Sequence, residues 1–193
     1  TPTTTTPTTT SPSTANLLDN PGCESGFEGY NGYNANVAVA SVRRSGASSC
    51  KVTGNGSTGD PFYSINAMES YENPAVGTSL TATAWVRSDT ADGRVVHAAM
   101  RERGGSAPAR TQYGTGLTLT TEWQQISALM FVNSAGRTAA DFYVVQEPGS
   151  SGQVFYADDL SFGLTPTAPT TTTPPSPNSP SAQAMPVGDR PGW

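Results

Sequence analysis

Charge is scarce in this chain, and its scarcity excludes a good deal. Only 13% of the 193 residues are Asp, Glu, Lys or Arg, and they sum to a formal net charge of −5. That is about half the charged share of an ordinary soluble domain, roughly 25%. A sparsely cationic, net-negative surface has little with which to neutralise a phosphate backbone, so nucleic acid is not an expected partner. His97 is the single histidine, too few for a zinc site built from nitrogen and sulfur ligands. No apolar run approaches the roughly 18 residues of a membrane-spanning helix, and no membrane partner is expected. The sequence also lacks a Gly-x-Ser-x-Gly elbow, a phosphate-binding loop, a dinucleotide fingerprint and a His-Glu-x-x-His motif. Asp158 and Asp159 are paired acids, but neighbours on a strand point to opposite faces and cannot flank one glycosidic bond. Catalysis is not expected of this domain.

What is abundant is threonine and proline, at two places. Residues 1–15, "TPTTTTPTTTSPSTA", and residues 165–193 are low-complexity tracts that cannot bury enough apolar surface to offset ordering entropy. Both are read as extended, disordered linkers. They leave 16–164 as one domain with one core. A module with such a tract on each side is expected in a larger secreted polypeptide, as a monomeric unit. Two cysteines, Cys23 and Cys50, allow one pairing across about 27 residues. A disulfide is the natural use of them in a secreted chain, and two buried thiols are the alternative.

Within 16–164 the pattern is of strands. "NVAVASV", "SCKVTG", "SLTATAWVRSD", "RVVHAAMRER", "GLTLTT", "WQQISALMFV", "ADFYVVQE" and "VFYADDLSF" are rich in Val, Thr and aromatics and are separated by Gly/Ser/Asn/Pro clusters. No window carries a sustained helical stripe, so an all-β fold follows: a β-sandwich jelly roll of two antiparallel sheets. Alternation turns Leu80, Ala82, Ala84 and Val86 inward, and likewise Val96, Ala98 and Met100, and Phe142 and Val144. If these strands share a sheet, Trp85, Arg87, His97, Arg101 and Tyr143 share its outer face. Rings and long polar donors on a sheet face suit a flat ligand that stacks and hydrogen-bonds. Trp123 is read as core. Asp158 has the parity of Leu160, and an acid turned toward the sandwich wants a cation or a hydrogen-bond cage. Ca²⁺ takes about six to eight oxygens, many of them backbone carbonyls, so few carboxylates suffice, and Glu24 and Asp158, near the two ends of the domain, are candidate ligands.

The order "NLLDNPGCESG", "SSCKVTG", "SLTATAWVRSD", "WQQISALMFV", "VFYADDLSF" resembles the carbohydrate-binding modules of families 4, 9 and 22 over essentially all of 16–164. The resemblance implies a jelly roll with a structural Ca²⁺ held by Glu24 and Asp158, with Asp159 a further candidate. It also implies a sugar-binding groove on one sheet, and hence a polysaccharide or oligosaccharide partner. Cys23 and Cys50 replace a Phe and a Leu on neighbouring strands of the pattern, which strengthens the disulfide reading. The xylan-binding aromatics transfer poorly: the loop "GNGSTGDPFYS" has no Trp, Leu119 stands where a Tyr is usual, and the Tyr-x-Glu pair becomes Tyr143 with Val145. The expected glycan site therefore combines Tyr143, Trp85, Arg87, Arg101, His97 and Gln146 with two loop tyrosines, Tyr63 and Tyr113. The cationic members point to a uronic-acid glycan. The function expected is non-catalytic glycan binding that brings an attached secreted hydrolase or lyase, encoded beyond residue 193, to its substrate. The alternative is a structural or adhesive spacer without glycan affinity.

Overall fold

A computed structural model describes residues 15–56, 60–68 and 71–166. Nearly all of the two Thr/Pro-rich tracts, and any catalytic domain beyond them, lie outside the described residues. The described chain has no helix and twelve strands: β1 Tyr30–Tyr33, β2 Ala35–Ala40, β3 Ser49–Gly54, β4 Tyr63–Ala67, β5 Tyr71–Glu72 and β6 Ser79–Arg87, then β7 Val95–Arg103, β8 Arg110–Tyr113, β9 Leu117–Thr118, β10 Gln124–Phe131, β11 Ala139–Glu147 and β12 Val154–Leu164. They form two antiparallel sheets. One runs β1-β4-β11-β7-β8, with β5 added on β11 and β9 on β7; the other runs β10-β6-β12-β3-β2. The all-β sandwich expected from the alternating segments is the fold that forms.

The core lies between the sheets and follows the alternation residue by residue. Leu80, Ala82, Ala84, Val86, Val96, Ala98, Met100, Phe142 and Val144 are all fully buried. Phe142 of one sheet stacks on Phe162 of the other at 6.0 Å between ring centres, and Tyr63 stacks on Phe155 at 5.6 Å. Such ring pairs contribute about 0.5–1.5 kcal/mol each beyond the area they bury. The sharing of one sheet by the expected outward residues is where the structure corrects the sequence. β6 belongs to the five-stranded sheet, between β10 and β12, whereas β7 and β11 pair in the other. Trp85 and Arg87 therefore face away from His97, Arg101 and Tyr143, on the opposite side of the molecule. Periodicity fixes the face of a strand but carries no information on which sheet receives it.

Polar staples hold the sandwich at its margins. The segment before β1 lies along β12: Leu17 N–H donates to Phe162 O, and the Asn16 side chain both donates to Leu160 O and accepts from Phe162 N–H. Cys23 and Cys50 form a disulfide with a Cα–Cα distance of 5.3 Å, joining that segment to β3. Arg94, buried, donates to the Gln146 side chain on one sheet and to Val154 O on the other. Glu102, fully buried on β7, accepts from Arg110 of β8 at 3.1 Å and from the buried Arg137 at 3.2 Å. Arg137 in turn donates to the carbonyls of Gly104, Ala107 and Pro108. This carboxylate thus fixes the edge strand β8 and the turn that leads into it.

Two stability predictions follow from these staples. Replacing both Cys23 and Cys50 by Ala is expected to cost about 3 kcal/mol, read as a lower midpoint in urea unfolding followed by tryptophan fluorescence. Glu102→Ala leaves the Arg137 guanidinium buried without its anion, a change expected to cost about 3–5 kcal/mol. Glu102→Gln keeps an acceptor for Arg137 and is expected to lose clearly less in the same assay.

Candidate functional site

The outer face of the seven-stranded sheet carries a groove of about 310 Å³ running across the strands. Its floor is set by the register of three ladders. Tyr143 on β11 stands beside Asn66 of β4 on one side and Ala99 of β7 on the other, and Ala99 faces Tyr113 of β8. One row of side chains thus crosses the face, and the small Ala99 leaves open space between the two tyrosine rings. The neighbouring row runs from Tyr33 of β1 through Ser64 to Val145. At the β1 end Tyr33 stacks on Phe62, with ring centres 5.4 Å apart and planes 25° from parallel. Tyr33 also donates to the Asp60 carboxylate. At the other end Tyr113 is 44% exposed and meets the His97 ring edge-on at 5.8 Å.

Tyr143 is half-buried in the middle. Its hydroxyl donates to Asp141 at 3.2 Å, and burial, aided by that carboxylate, pushes its pKa up to about 12. It stays a neutral phenol that offers a ring face. Arg101 is exposed on the same floor and belongs to none of the ion pairs among the described residues. Such a face offers rings for the C–H surfaces of a sugar and donors and acceptors for its hydroxyls.

Of the expected binding residues, the structure brings Tyr143, Tyr113 and Arg101 together in this groove. His97 lies on the same face, but Nδ1 is 3.2 Å from Gly114 O and its ring backs Tyr113. It positions the β8 end and does not line the groove. Gln146 points inward, having the parity of Phe142 and Val144; it is fully buried and accepts from Tyr63 and Arg94. Tyr63 opens β4 with its side chain in the core, not in a loop, and burial pushes its pKa up to about 12. Trp85 lies on the opposite sheet under the Arg44 guanidinium, 3.7 Å from the ring centre. Arg87, on that same strand, donates weakly to Ser88 O. Trp123 is only partly buried and donates to Arg43 O, so it is not core.

Tyr33, Phe62, Ser64 and Asn66 were not anticipated, yet the sequence carried the signal for the last three. In "FYSINA" the alternation puts Phe62, Ser64 and Asn66 on one face and Tyr63, Ile65 and Ala67 on the other. The segment escapes notice because it is short and follows a Gly/Ser-rich loop.

The expected calcium ligands lie across the molecule, Asp158 and Asp159 on β12 of the five-stranded sheet and Glu24 in the segment before β1. Asp158 stands opposite Trp85, just before a bulge at which Asp159 takes a left-handed φ of 46°. The fully buried Asp158 carboxylate accepts Arg44 N–H at 2.7 Å and Ser45 N–H at 3.2 Å on one oxygen. Burial raises its pKa, against the lowering by those amides. Glu24 accepts from Ala47 and Ser48 N–H, and the Ala47 amide leads in holding its carboxyl below the usual range. One oxygen of each carboxylate comes within 3.3 Å of the place a Cβ would occupy on Gly22. Glycine therefore keeps open a small cradle where two acids converge, and no third Asp, Glu, His or Cys joins them among the described residues. The pair fits the carboxylate share of a calcium shell. Asp159 does not join them: its carboxylate is taken by Arg44 at 2.5 Å and by the Ser45 hydroxyl at 2.6 Å.

No protein-family model and no curated protein sequence matches the chain. Solved structures do. The chain is similar to the first family 22 carbohydrate-binding module, a xylan-binding domain, of Xyn10C from Paenibacillus barcinonensis: TM-score 0.63 and 13% identity over 80% of this chain and 97% of that one. A family 61 module solved with β-1,4-galactotriose superposes at TM-score 0.52, with 18% identity over 78% of this chain and 99% of that one. Xyn10B of Clostridium thermocellum, in which a family 22 module is joined to a family 10 hydrolase module and complexed with xylohexaose, matches at TM-score 0.62 and 11% identity, over 80% of this chain and 29% of that one. The domain has the jelly-roll fold of carbohydrate-binding modules of the family 4, 9 and 22 type.

Proposed function

We propose that the domain binds a glycan chain in the groove across β1, β4, β11, β7 and β8, and that it holds an attached secreted polysaccharide-degrading enzyme at its substrate. The observation that carries this reading is the set of aromatic rings along the groove: the Tyr33–Phe62 stack at one end, Tyr143 in the floor and Tyr113 at the other end. Five strands at the usual spacing span about 19 Å, room for about four sugar rings laid across the sheet. The neighbours described above include xylan- and galactotriose-binding modules, and one is joined to a hydrolase module. That company supports a glycan as partner and tethering as the use. The Cys23–Cys50 disulfide is compatible with an extracellular location. Tethering acts through effective concentration: a module that dwells on a polysaccharide keeps its enzyme there without any new catalytic contact.

Calcium belongs to the same reading as a structural group. Glu24 and Asp158 would hold it beside Gly22, with carbonyl and water oxygens completing a shell of about six to eight. Bound there, it would neutralise two converging carboxylates and fasten the opening segment to β12.

Affinity electrophoresis of the domain on a panel of neutral and acidic polysaccharides tests the binding reading. Retardation by at least one is expected, and retardation by none leaves the spacer reading in its place. Tyr143→Ala and Tyr113→Ala are each expected to weaken the observed binding about tenfold, while Trp85→Ala, on the far sheet, leaves it unchanged. For calcium, thermal unfolding with 1 mM CaCl₂ against EDTA is the measurement. A Tm about 5 °C higher or more with calcium is expected, and Glu24→Gln should remove the difference. Identical Tm values in the two buffers would refute the metal.

A further inference from the structure

Among the described residues that line the groove there is one cation and no anion, in a chain whose formal charge is −5. The cation is Arg101, and its surroundings explain why it forms no ion pair among the described residues. Its cross-strand partners are Asp141 of β11 and Thr111 of β8. Asp141 is the one acid in register with it, but Arg103 donates to both Asp141 oxygens, at 2.7 and 3.3 Å, and the Tyr143 hydroxyl donates to one of them at 3.2 Å. Arg103 draws further on Glu72. The carboxylate beside Arg101 is thus already engaged, and the guanidinium faces the groove next to two tyrosine rings.

Resting on the glycan-binding reading, we propose that this groove selects polysaccharides that contain uronic acid, with the carboxylate of one sugar received by Arg101 while its ring and a neighbour lie against Tyr143 and Tyr113. A guanidinium presents parallel N–H donors that match a carboxylate in two-point contact, a charge-assisted pairing that neutral sugar hydroxyls do not supply. The overall negative charge opposes such a ligand only weakly. At physiological salt, charges beyond about 8 Å are largely screened, whereas the Arg101 contact is made at hydrogen-bond distance. The groove is also polar along its length. Asp60, hydrogen-bonded to Tyr33, lies at the β1 end, so an acidic sugar is favoured at the Tyr113 end and disfavoured at the other.

The test compares oligosaccharides that differ only in the carboxyl group. Tetragalacturonate, tetramannuronate and tetraglucuronate are titrated into the domain by calorimetry, each beside its carboxyl-reduced counterpart. The titrations are repeated at 20 and 500 mM NaCl and with Arg101→Gln, a surface change that leaves the core intact. At least one uronate is expected to bind about tenfold or more tighter than its reduced form. That margin should shrink at high salt and vanish in Arg101→Gln, with the affinity for the reduced form unchanged. Equal binding of charged and reduced forms, or a uronate preference that survives Arg101→Gln, overturns the proposal and leaves glycan binding standing. Absence of binding by these sugars, together with absence of retardation on the neutral panel, overturns both. Binding to neutral glycans alone overturns the uronate selectivity.

Discussion

The register of β11 is the constraint from which the rest of this domain follows. It lies between β4 and β7, so Tyr143, Val144, Val145 and Gln146 are each committed twice over. Phe142 and Val144 must fill the core while Tyr143 must stand between Asn66 and Ala99. A slip of one residue against either neighbour would drive a tyrosine into the sandwich and bring a phenylalanine to the surface. The cost of that exchange is what fixes the groove, because no side chain in its floor could hold a position more precise than that of the strand beneath. Buried polar groups add to the same end. Gln146, inward like Phe142, is engaged by Tyr63 and by Arg94, so the C-terminal half of β11 is anchored by hydrogen bonds as well as by packing.

Much of this was legible in the sequence, and the reasons for the remainder are specific. Short alternating segments between turn clusters gave the fold class, and parity gave the inward set on β6, β7 and β11 without error. The same parity placed Tyr143 and Arg101 outward correctly. Parity would have excluded Gln146 as well, since it shares the phase of Phe142; hydrogen-bonding side chains are readily taken as surface, and here one is interior because it has partners. Trp85 and Arg87 were misassigned for a different reason. Their facing was right, but strand order in a jelly roll is set by long crossings, not by local pattern, and β6 pairs with β10 and β12. Tyr63 and Phe62 exchange roles because the loop before them gave no hint of where the strand begins.

The resemblance of five motifs in order carried information that no strand pattern held. It strengthened the pairing of Cys23 with Cys50 and the reading of Glu24 together with Asp158, residues 134 positions apart whose carboxylates both reach toward Gly22. Asp159, the further candidate, stands apart from that pair. There a left-handed residue at the bulge turns the side chain toward Arg44, the same arginine that lies over Trp85. One guanidinium thus covers the tryptophan and takes the acid, and it explains why neither is free for another task.

The way the opening segment lies along β12 has a mechanical side. Ala15 comes against Gly163, and Leu17 is bonded to Phe162, so the two ends of the described domain sit side by side. A pull applied through both ends would open this pair of segments one hydrogen bond at a time, as a zipper opens, instead of shearing them all together. Peeling would run only as far as Cys23, where the covalent link passes the tension to β3, inside the five-stranded sheet between β12 and β2. The seven-stranded sheet, with the groove on its outer side, lies outside that path. A domain built in this way can yield at its base under load while its binding face keeps its shape.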